Sequence, residues 1–409
     1  MRVLHISKTS DGAAWAAGQA KCLAAGGVDI HVALPSLEGR TMGLWRRAGV
    51  NIHSVNLDWP IKSPWSIRQR MQDARRLVAA VKPDLIHIHH IGPALLVRTA
   101  LGNSGPARVF QVAGPLHLEH ALFRQWELGT ATALDSWIAT SQCIRRLYQA
   151  AGISERRVFL SYHGTDVETF HTVRTRMLRR RLQLPADAFL IGNINYIYPP
   201  KYYLGQFVGL KAHEDLIEGI AGIIRSHPNA IGVLIGSTWG RRGGYERRLR
   251  RMARSIGRGR IFMPGYFDRE EVQAALGDFD CAVHVPISEN CGGVVEPLLA
   301  AVPTIASRVG GLPEVVIEGV TGRIVSPRRP HELTATIREI MARPAEHLAM
   351  AKRGRALALK MFDIRRTAAE ILGIYRHILE GVDVAAQFDS VAFAQAVTEE
   401  HCDARVPGE

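Results

Sequence analysis

The sequence predicts an α/β protein made of two successive Rossmann-like domains. Two observations carry this. Short β-rich runs alternate with helical stretches from Val3 to Thr140, and the same rhythm restarts at Phe189 after a break. Strands alternating with helices call for parallel pairing through crossovers, and a second run of the same rhythm calls for a second domain.

The elements follow in order. Val3–Ser7 reads as a strand, followed by the small-residue turn Ser10–Ala14 and a helix to Ala25. Asp29–Leu34 and Asn51–Val55 are the next strands, and Pro64–Val81 is a long amphipathic stretch. Asp84–His89, Val109–Val112 and Ser136–Thr140 complete the strands of the first half. The break between Val167 and Ala186 is crowded with arginines (Arg174, Arg176, Arg179, Arg180, Arg181) and reads as the interdomain connection. Beyond it come strands at Phe189–Asn193, Ala230–Ile235, Ile261–Met263, Cys281–Val285 and Thr304–Ser307. Helices lie between them at Leu216–Ser226, Tyr245–Ile256, Glu270–Gly277 and from Glu296 to Ala301. The expected domains are residues 1–170 and 171–362, with a helix at 363–380 crossing back to the first and an acidic tail at 381–409. That tail holds six acidic residues against Arg405 as its one basic residue, so the positive charge belongs to the folded body.

The chain has 409 residues, is 47% hydrophobic and 22% charged, and carries a formal net charge of +13. This composition excludes a disordered chain and leaves ample apolar surface for large cores. The charge asks for an anionic partner. The five cysteines are scattered and form no Cys-x-x-Cys, which argues against a disulfide framework or a zinc site. No apolar run approaches the ~18 residues of a membrane span. Met1 leads directly into a strand without a signal-peptide core. The expectation is a cytoplasmic protein that meets a membrane peripherally, at its inner face. Trp45, Trp59 and Trp65 among Arg46, Arg47, Lys62, Arg68, Arg70, Arg75 and Arg76 suit an anionic lipid surface. Nucleic acid is not expected, because the basic residues lack interleaved stacking aromatics.

The segment richest in chemistry runs from Asp280 to Pro327. In it, Ser288-Glu289-Asn290-Cys291-Gly292-Gly293-Val294-Val295-Glu296-Pro297 reads as a glycine loop opening a helix, flanked by two carboxylates. Free N–H groups at a helix start hold phosphate. A carboxylate beside them suits hydroxyls of a sugar or a ribose. This segment resembles the donor-site signature of glycosyltransferase family 4, which has the GT-B fold: two Rossmann-like domains facing across a cleft. The resemblance implies that Glu289 binds hydroxyls of the transferred sugar and Glu296 the nucleotide ribose. Gly292, Gly293 and Val294 would supply backbone contacts to the sugar and diphosphate. Six residues separate the glutamates where the family pattern has seven, and Pro297 stands where the family has Ala. A proline in the first helical turn is well tolerated.

Further segments are similar. Arg157–Phe170 resembles the family's interdomain segment, with His163 in place of Asn before Gly164. Ile261–Tyr266 resembles the turn that cradles the donor's base, which places Gly265 at the donor. Lys211-Ala212-His213-Glu214-Asp215-Leu216-Ile217 resembles the segment whose Lys binds the diphosphate, so Lys211 is the expected phosphate ligand and catalytic cation. The family's Arg a few residues earlier is missing, and Lys201 or an Arg elsewhere would substitute for it. Gly12-Ala13 matches a Gly-Gly after the first strand. Asp84–His90 resembles the acceptor-side strand. Family members carry a His after the strand here read at Val109–Val112; Ala113 occupies the simplest equivalent, and His117 is the expected replacement as a catalytic or sugar-holding residue. His90 and His120 complete the acceptor side.

The resemblance implies a retaining hexosyltransferase acting on a UDP-, GDP- or ADP-sugar and a glycan or lipid-linked acceptor in cell-surface polysaccharide biosynthesis. No Asp-x-Asp motif is present, so no metal and no cofactor is expected; cations and helix N-termini would stabilise the leaving diphosphate. A nucleotide-sugar epimerase of the same fold is the alternative.

Overall fold

The computed structural model describes residues 1–396 except Thr172, 239–242, 385–387 and Val391, with the side chain of Tyr203 also left out. Glu399, Glu400, Asp403, Arg405 and Glu409 of the acidic tail lie outside the described residues. The chain divides into two compact units. Unit 1 comprises residues 1–166 and 362–388; unit 2 comprises 167–361 and the described residues from Asp389 on.

Unit 1 is built on seven strands: β1 (Arg2–Ile6), β2 (Asp29–Leu34), β3 (Asn51–Ser54), β4 (Leu85–Ile88), β5 (Ala107–Val112), β6 (Asp135–Ala139) and β7 (Val158–Leu160). Their order is β3-β2-β1-β4-β5-β6-β7, parallel throughout. A parallel sheet is covered on both faces, so its strands read as nearly continuous apolar runs. Leu4, Ile6, Ile86, Ile88 and Phe110 pack on one face, while Val3, Leu85, Val109 and Ile138 pack on the other. The second face is covered by the helices Ala14–Ala25 and Ile364–Glu380. These two helices meet closely: a Cβ on Gly18 would stand 2.6 Å from the Ile364 side chain.

Unit 2 has six strands: β8 (Phe189–Ile194), β9 (Ala230–Ile235), β10 (Ile261–Gly265), β11 (Cys281–His284), β12 (Thr304–Ser307) and β13 (Arg323–Val325). They run parallel in the order β10-β9-β8-β11-β12-β13. Both sheets therefore reverse their strand order once, between β1 and β4 in unit 1 and between β8 and β11 in unit 2. Loops diverge at such a switch point and leave a crevice beyond the carboxyl ends of the strands, where ligands of this fold bind.

One local expectation is corrected. The helix after the glycine loop spans Gly292–Leu299 rather than starting at Glu296, and Pro297 lies inside it. Proline at the sixth helical residue forfeits a helical hydrogen bond. The disruption stays local, since the helix ends two residues later. Ala300 and Ala301 turn the chain there, with Ala301 in the left-handed region at φ +54°.

Candidate functional site

The switch point of unit 2 gathers the expected donor residues. The loop before Lys211 is pinned on two sides: Gly209 N–H donates to Tyr245 Oη (2.9 Å), and Ile287 N–H donates to Leu210 O (3.0 Å). The second bond ties this loop to the one leaving β11, so Lys211 meets Glu289. Lys211 Nζ donates to Glu289 Oε2 in an ion pair, both side chains being largely buried. Glu289 Oε2 also accepts from His284 Nε2 (3.1 Å), and Oε1 accepts from the Asn290 N–H (3.0 Å). Burial alone would raise the Glu289 pKa. The Lys211 charge and the His284 bond outweigh it and hold the carboxyl well below the usual range.

Two glycines of the signature owe their identity to this cluster. A Cβ on Gly293 would stand 2.2 Å from the His284 ring. Gly310 has φ +53°, and a Cβ there would stand 1.7 Å from Glu289 O. Gly292 is exposed with open space around it, at the start of a helix that no side chain caps. Buried Val294 directs its N–H at Cys291 O over a long 3.5 Å, and N–H groups in the first turn of a helix are of the kind that can take an anion. Glu296, on the same helix, is half-buried, and its carboxyl has no hydrogen-bond or ion-pair partner among the described residues. Burial raises its pKa, against the pull of Arg269. Gly265 ends β10 and accepts from Gly236 N–H (2.8 Å). Gly236 in turn lies against Asn195, which bonds to His284. A continuous rim thus links Gly265 to Glu289.

His213, next to Lys211, is fully buried, with its pKa pushed down to about 3 by burial and the Lys211 charge. It stays neutral and adds no charge. Lys201 lies in the enlarged stretch before Lys211, its N–H directed at Gln206 Oε1 (3.4 Å).

Unit 1 carries the remaining expected residues. Gly12 O accepts from Thr41 Oγ1 (3.3 Å), and the next residue, Ala13, sits at φ +58° as the cap of helix Ala14–Ala25. His90 caps helix Ile91–Leu101, and its Nδ1 faces the Lys8 N–H (3.4 Å). Burial, then Lys8 and His163, push its pKa down to about 3. His120 caps helix Ala121–Gly129, its ring edge-on to Phe123. His117 turns inward: Nε2 lies 3.3 Å from Tyr148 Oη. Its pKa falls to about 4, chiefly through burial, and a backbone bond to Gly114 opposes the fall. Holding a sugar hydroxyl would require His117 to give up one of these contacts.

Two polar groups in unit 1 escaped the sequence reading. One is a buried ion cluster: Arg98 bonds Glu127 (2.6 Å) and Asp135 (3.0 Å), and Arg108 bonds Asp135 (3.0 Å). The other sits at the β1/β4 switch point. His5, His87 and His89 bring ring nitrogens within 4.8 Å of one another. His5 Nδ1 bonds His89 Nε2 (2.9 Å), and Tyr375 Oη bridges His87 Nδ1 and His5 Nε2. His87 Nε2 reaches Gln111 Oε1 (3.0 Å), and Gln111 donates to Gln19 Oε1 (3.2 Å). Every ring nitrogen of the three except His89 Nδ1 is thus engaged in the protein's own hydrogen bonds. The sequence signal was His87, set into the otherwise apolar strand β4, with His89 just beyond its end.

Two parallel Rossmann-like sheets with these switch points define a GT-B architecture. Residues 14–169 match the family described as Glycosyltransferase Family 4, and residues 200–357 match Glycosyl transferases group 1. The chain belongs to glycosyltransferase family 4. It is 29% identical over 243 residues to a D-inositol 3-phosphate glycosyltransferase of Nocardiopsis dassonvillei, covering 57% of this chain and 53% of that one. The chain spans about half the length of the curated relatives it matches first. Among solved structures it resembles Anabaena HepE in complex with UDP-glucose (TM-score 0.75, 20% identity, 91% of this chain and 99% of that one). It also resembles the sucrose-phosphate synthase of Thermosynechococcus elongatus (TM-score 0.75, 19% identity, 93% and 100%).

Proposed function

We propose that the protein is a retaining glycosyltransferase. It moves a hexosyl group from a nucleotide-sugar to a glycan or lipid-linked acceptor in cell-surface polysaccharide biosynthesis. The observation that carries this is the meeting of Lys211 and Glu289 at the β8/β11 switch point, beside an uncapped helix N-terminus. A cation and free N–H groups suit a diphosphate, and a carboxylate between them suits sugar hydroxyls. The UDP and UDP-glucose complexes of HepE support UDP as the first nucleotide to try.

In this reading the donor's diphosphate draws Lys211 away from Glu289, and Glu289 turns its charge to the sugar hydroxyls. Glu296, unpaired and half-buried, takes the ribose. The acceptor hydroxyl attacks the anomeric carbon from the face the diphosphate leaves. The C–O bond to phosphate breaks, the new glycosidic bond forms, and a diphosphate oxygen takes the acceptor's proton. Lys211 and the helix N-terminus stabilise the charge that develops on the leaving group, a task they perform without a metal. His90, His120 and His117 are assigned to the acceptor side. Two of the proteins named above are a glycosyltransferase and a synthase, which favours transfer over epimerisation.

The membrane part of the reading narrows in the structure. Trp45 is fully buried and Trp59 packs edge-on against Trp126, so neither serves a lipid surface. Ile61 and Trp65 are 79% and 80% exposed, flanked by exposed Lys62 and Arg68. These four form the surface proposed to touch anionic lipid. No described helix is long and apolar enough to cross a membrane.

Two experiments test the proposal. Incubation with sugar-labelled UDP-, ADP- and GDP-sugars and a lipid and glycan extract is expected to move label to a second molecule with its α or β configuration kept. Label that returns only as an epimerised nucleotide-sugar would refute it. Sedimentation with phosphatidylglycerol vesicles is expected to carry the protein down, and Trp65→Ser with Ile61→Ser to abolish this; sedimentation unchanged in that variant would refute the surface.

A further inference from the structure

The strand β11 reads Cys281-Ala282-Val283-His284 and is wholly buried. A histidine there is costly unless both ring nitrogens are partnered. They are: Asn195 Nδ2 lies 3.0 Å from Nδ1, and Nε2 lies 3.1 Å from Glu289 Oε2. The Asn195 amide nitrogen can only donate, so Nδ1 carries the lone pair and the proton sits on Nε2, facing the carboxylate. Burial and the Lys211 charge lower the imidazole's pKa against the opposing pull of Glu289, which leaves it one N–H. Asn195 follows β8 and His284 ends β11, so this chain of bonds crosses the switch point itself.

Glu289 Oε2 therefore has two donors of different character. Lys211 is a charge on a flexible stem, and a diphosphate competes for it. His284 is a rigid ring wedged against Gly293, where a Cβ would stand 2.2 Å away. We infer that His284 is a positioning residue, oriented by Asn195, that keeps Glu289 aimed at the sugar when Lys211 turns to the donor's diphosphate. The inference rests on reading this switch point as the nucleotide-sugar site. It also gives the shortened glutamate loop a fixed anchor: the carboxylate is held from the strand end below as well as by its own loop.

The test separates sugar from nucleotide. Dissociation constants are measured by calorimetry for UDP-glucose and UDP, ADP-glucose and ADP, and GDP-mannose and GDP. The variants are His284→Phe, His284→Gln, Asn195→Leu and Glu289→Ala. For the pair that binds, His284→Phe is expected to weaken the nucleotide-sugar roughly tenfold and to leave the nucleoside diphosphate within about twofold. His284→Gln, which keeps an N–H, is expected to restore most of the loss. Asn195→Leu, which frees the tautomer, is expected to show a smaller loss with the same selectivity. Equal weakening of both ligands in His284→Phe, or no weakening of either, would overturn the inference. If that variant does not fold, Asn195→Leu decides, and an absence of sugar-selective loss there overturns it. Failure of Glu289→Ala to weaken the nucleotide-sugar selectively, or failure of every pair to bind the wild type, would instead overturn the donor-site reading beneath it.

Discussion

The two switch points of this protein use histidine in opposite ways. In unit 1, His5 bonds His89 directly and His87 through the Tyr375 hydroxyl, His87 also bonds Gln111, and the three histidines make no ion pair among the described residues. In unit 2, His284 bonds a carboxylate that is also paired with a lysine. The first arrangement is closed: almost every donor has found an acceptor inside the protein. The second is open to exchange, since a diphosphate can take Lys211 and sugar hydroxyls can take Glu289. The same position in the same fold thus holds a closed hydrogen-bond network in one unit and, in the proposed reading, a ligand site in the other. Partners, rather than residue type, decide which.

The largest expected effect separates the two on activity. Lys211→Ala is expected to lower kcat/KM by roughly 100-fold or more, the scale of removing one preorganised charge from a transition state. Its midpoint of thermal unfolding in the absence of donor is expected to fall as well, because the largely buried Glu289 loses its cation, so the kinetics are compared on folded protein. Steady-state kinetics with the donor found by screening checks this, and a loss below tenfold would remove Lys211 from the leaving-group role.

The converse change belongs to unit 1. His87→Leu takes one buried partner each from the Tyr375 hydroxyl and from Gln111 Oε1, and is expected to cost about 2–3 kcal/mol of stability in urea unfolding. Nucleotide affinity should stay unchanged. A fall in nucleotide affinity equal to that of Lys211→Ala would erase the distinction between closed network and site.

Acidification sharpens the comparison further. Burial pushes His5 and His163 down to about 3, and burial with neighbouring imidazoles takes His87 and His89 well below their ordinary value. The unfolded chain protonates such groups near pH 6.5, while the folded chain resists until far lower pH. The unfolded state therefore holds more protons in that window. Stability is complete above about pH 6.5 and falls as the pH drops toward 3, by about 1.4 kcal/mol per pH unit for each histidine. Unit 2 contributes His213 and His284 in the same sense. The depressed pKa of Glu289 adds a contribution that is present above the usual carboxylate pKa and lost below it. Hydrogen exchange between pH 7 and 5 should show the β1 and β4 amides losing protection more steeply than those of β8 and β11. Equal slopes would contradict the account.

The smallest effect is expected at the backbone. Ala13 and Ala301 hold φ +58° and +54° without being glycine, a conformation that costs an L-residue about 1 kcal/mol. Ala13→Gly and Ala301→Gly should each raise stability by up to about 0.5 kcal/mol, once the added freedom of the unfolded chain is subtracted. Thermal unfolding of each variant checks it.

Much of this was legible in the sequence, for definite reasons. Buried parallel strands are apolar runs, so Asp29–Leu34 and Ala230–Ile235 read to the residue. Helix Ile91–Leu101 went unread because it is apolar nearly all round and carries Gly92-Pro93, which hides any helical period. The helices Pro330–Ala342 and Pro344–Met361 were also missed, although a proline opens each and was a usable start signal. At the site, the residue types around Glu289 were visible, but its pairing with Lys211 spans 78 positions and arises only when two loops are tied together. His284 went unread, although a polar residue in an otherwise apolar strand was a usable signal. The bridge from Tyr375 to His5, 370 positions apart, had no local signal.

The central claim, that the β8/β11 switch point holds a nucleotide-sugar through Lys211 and the two glutamates, is tested most directly by thermal stabilisation against UDP-, GDP- and ADP-sugars without added metal. The account predicts a rise in midpoint with one nucleotide family, lost in Lys211→Ala and in Glu296→Ala. No rise with any donor, or a rise that survives both substitutions, would contradict it.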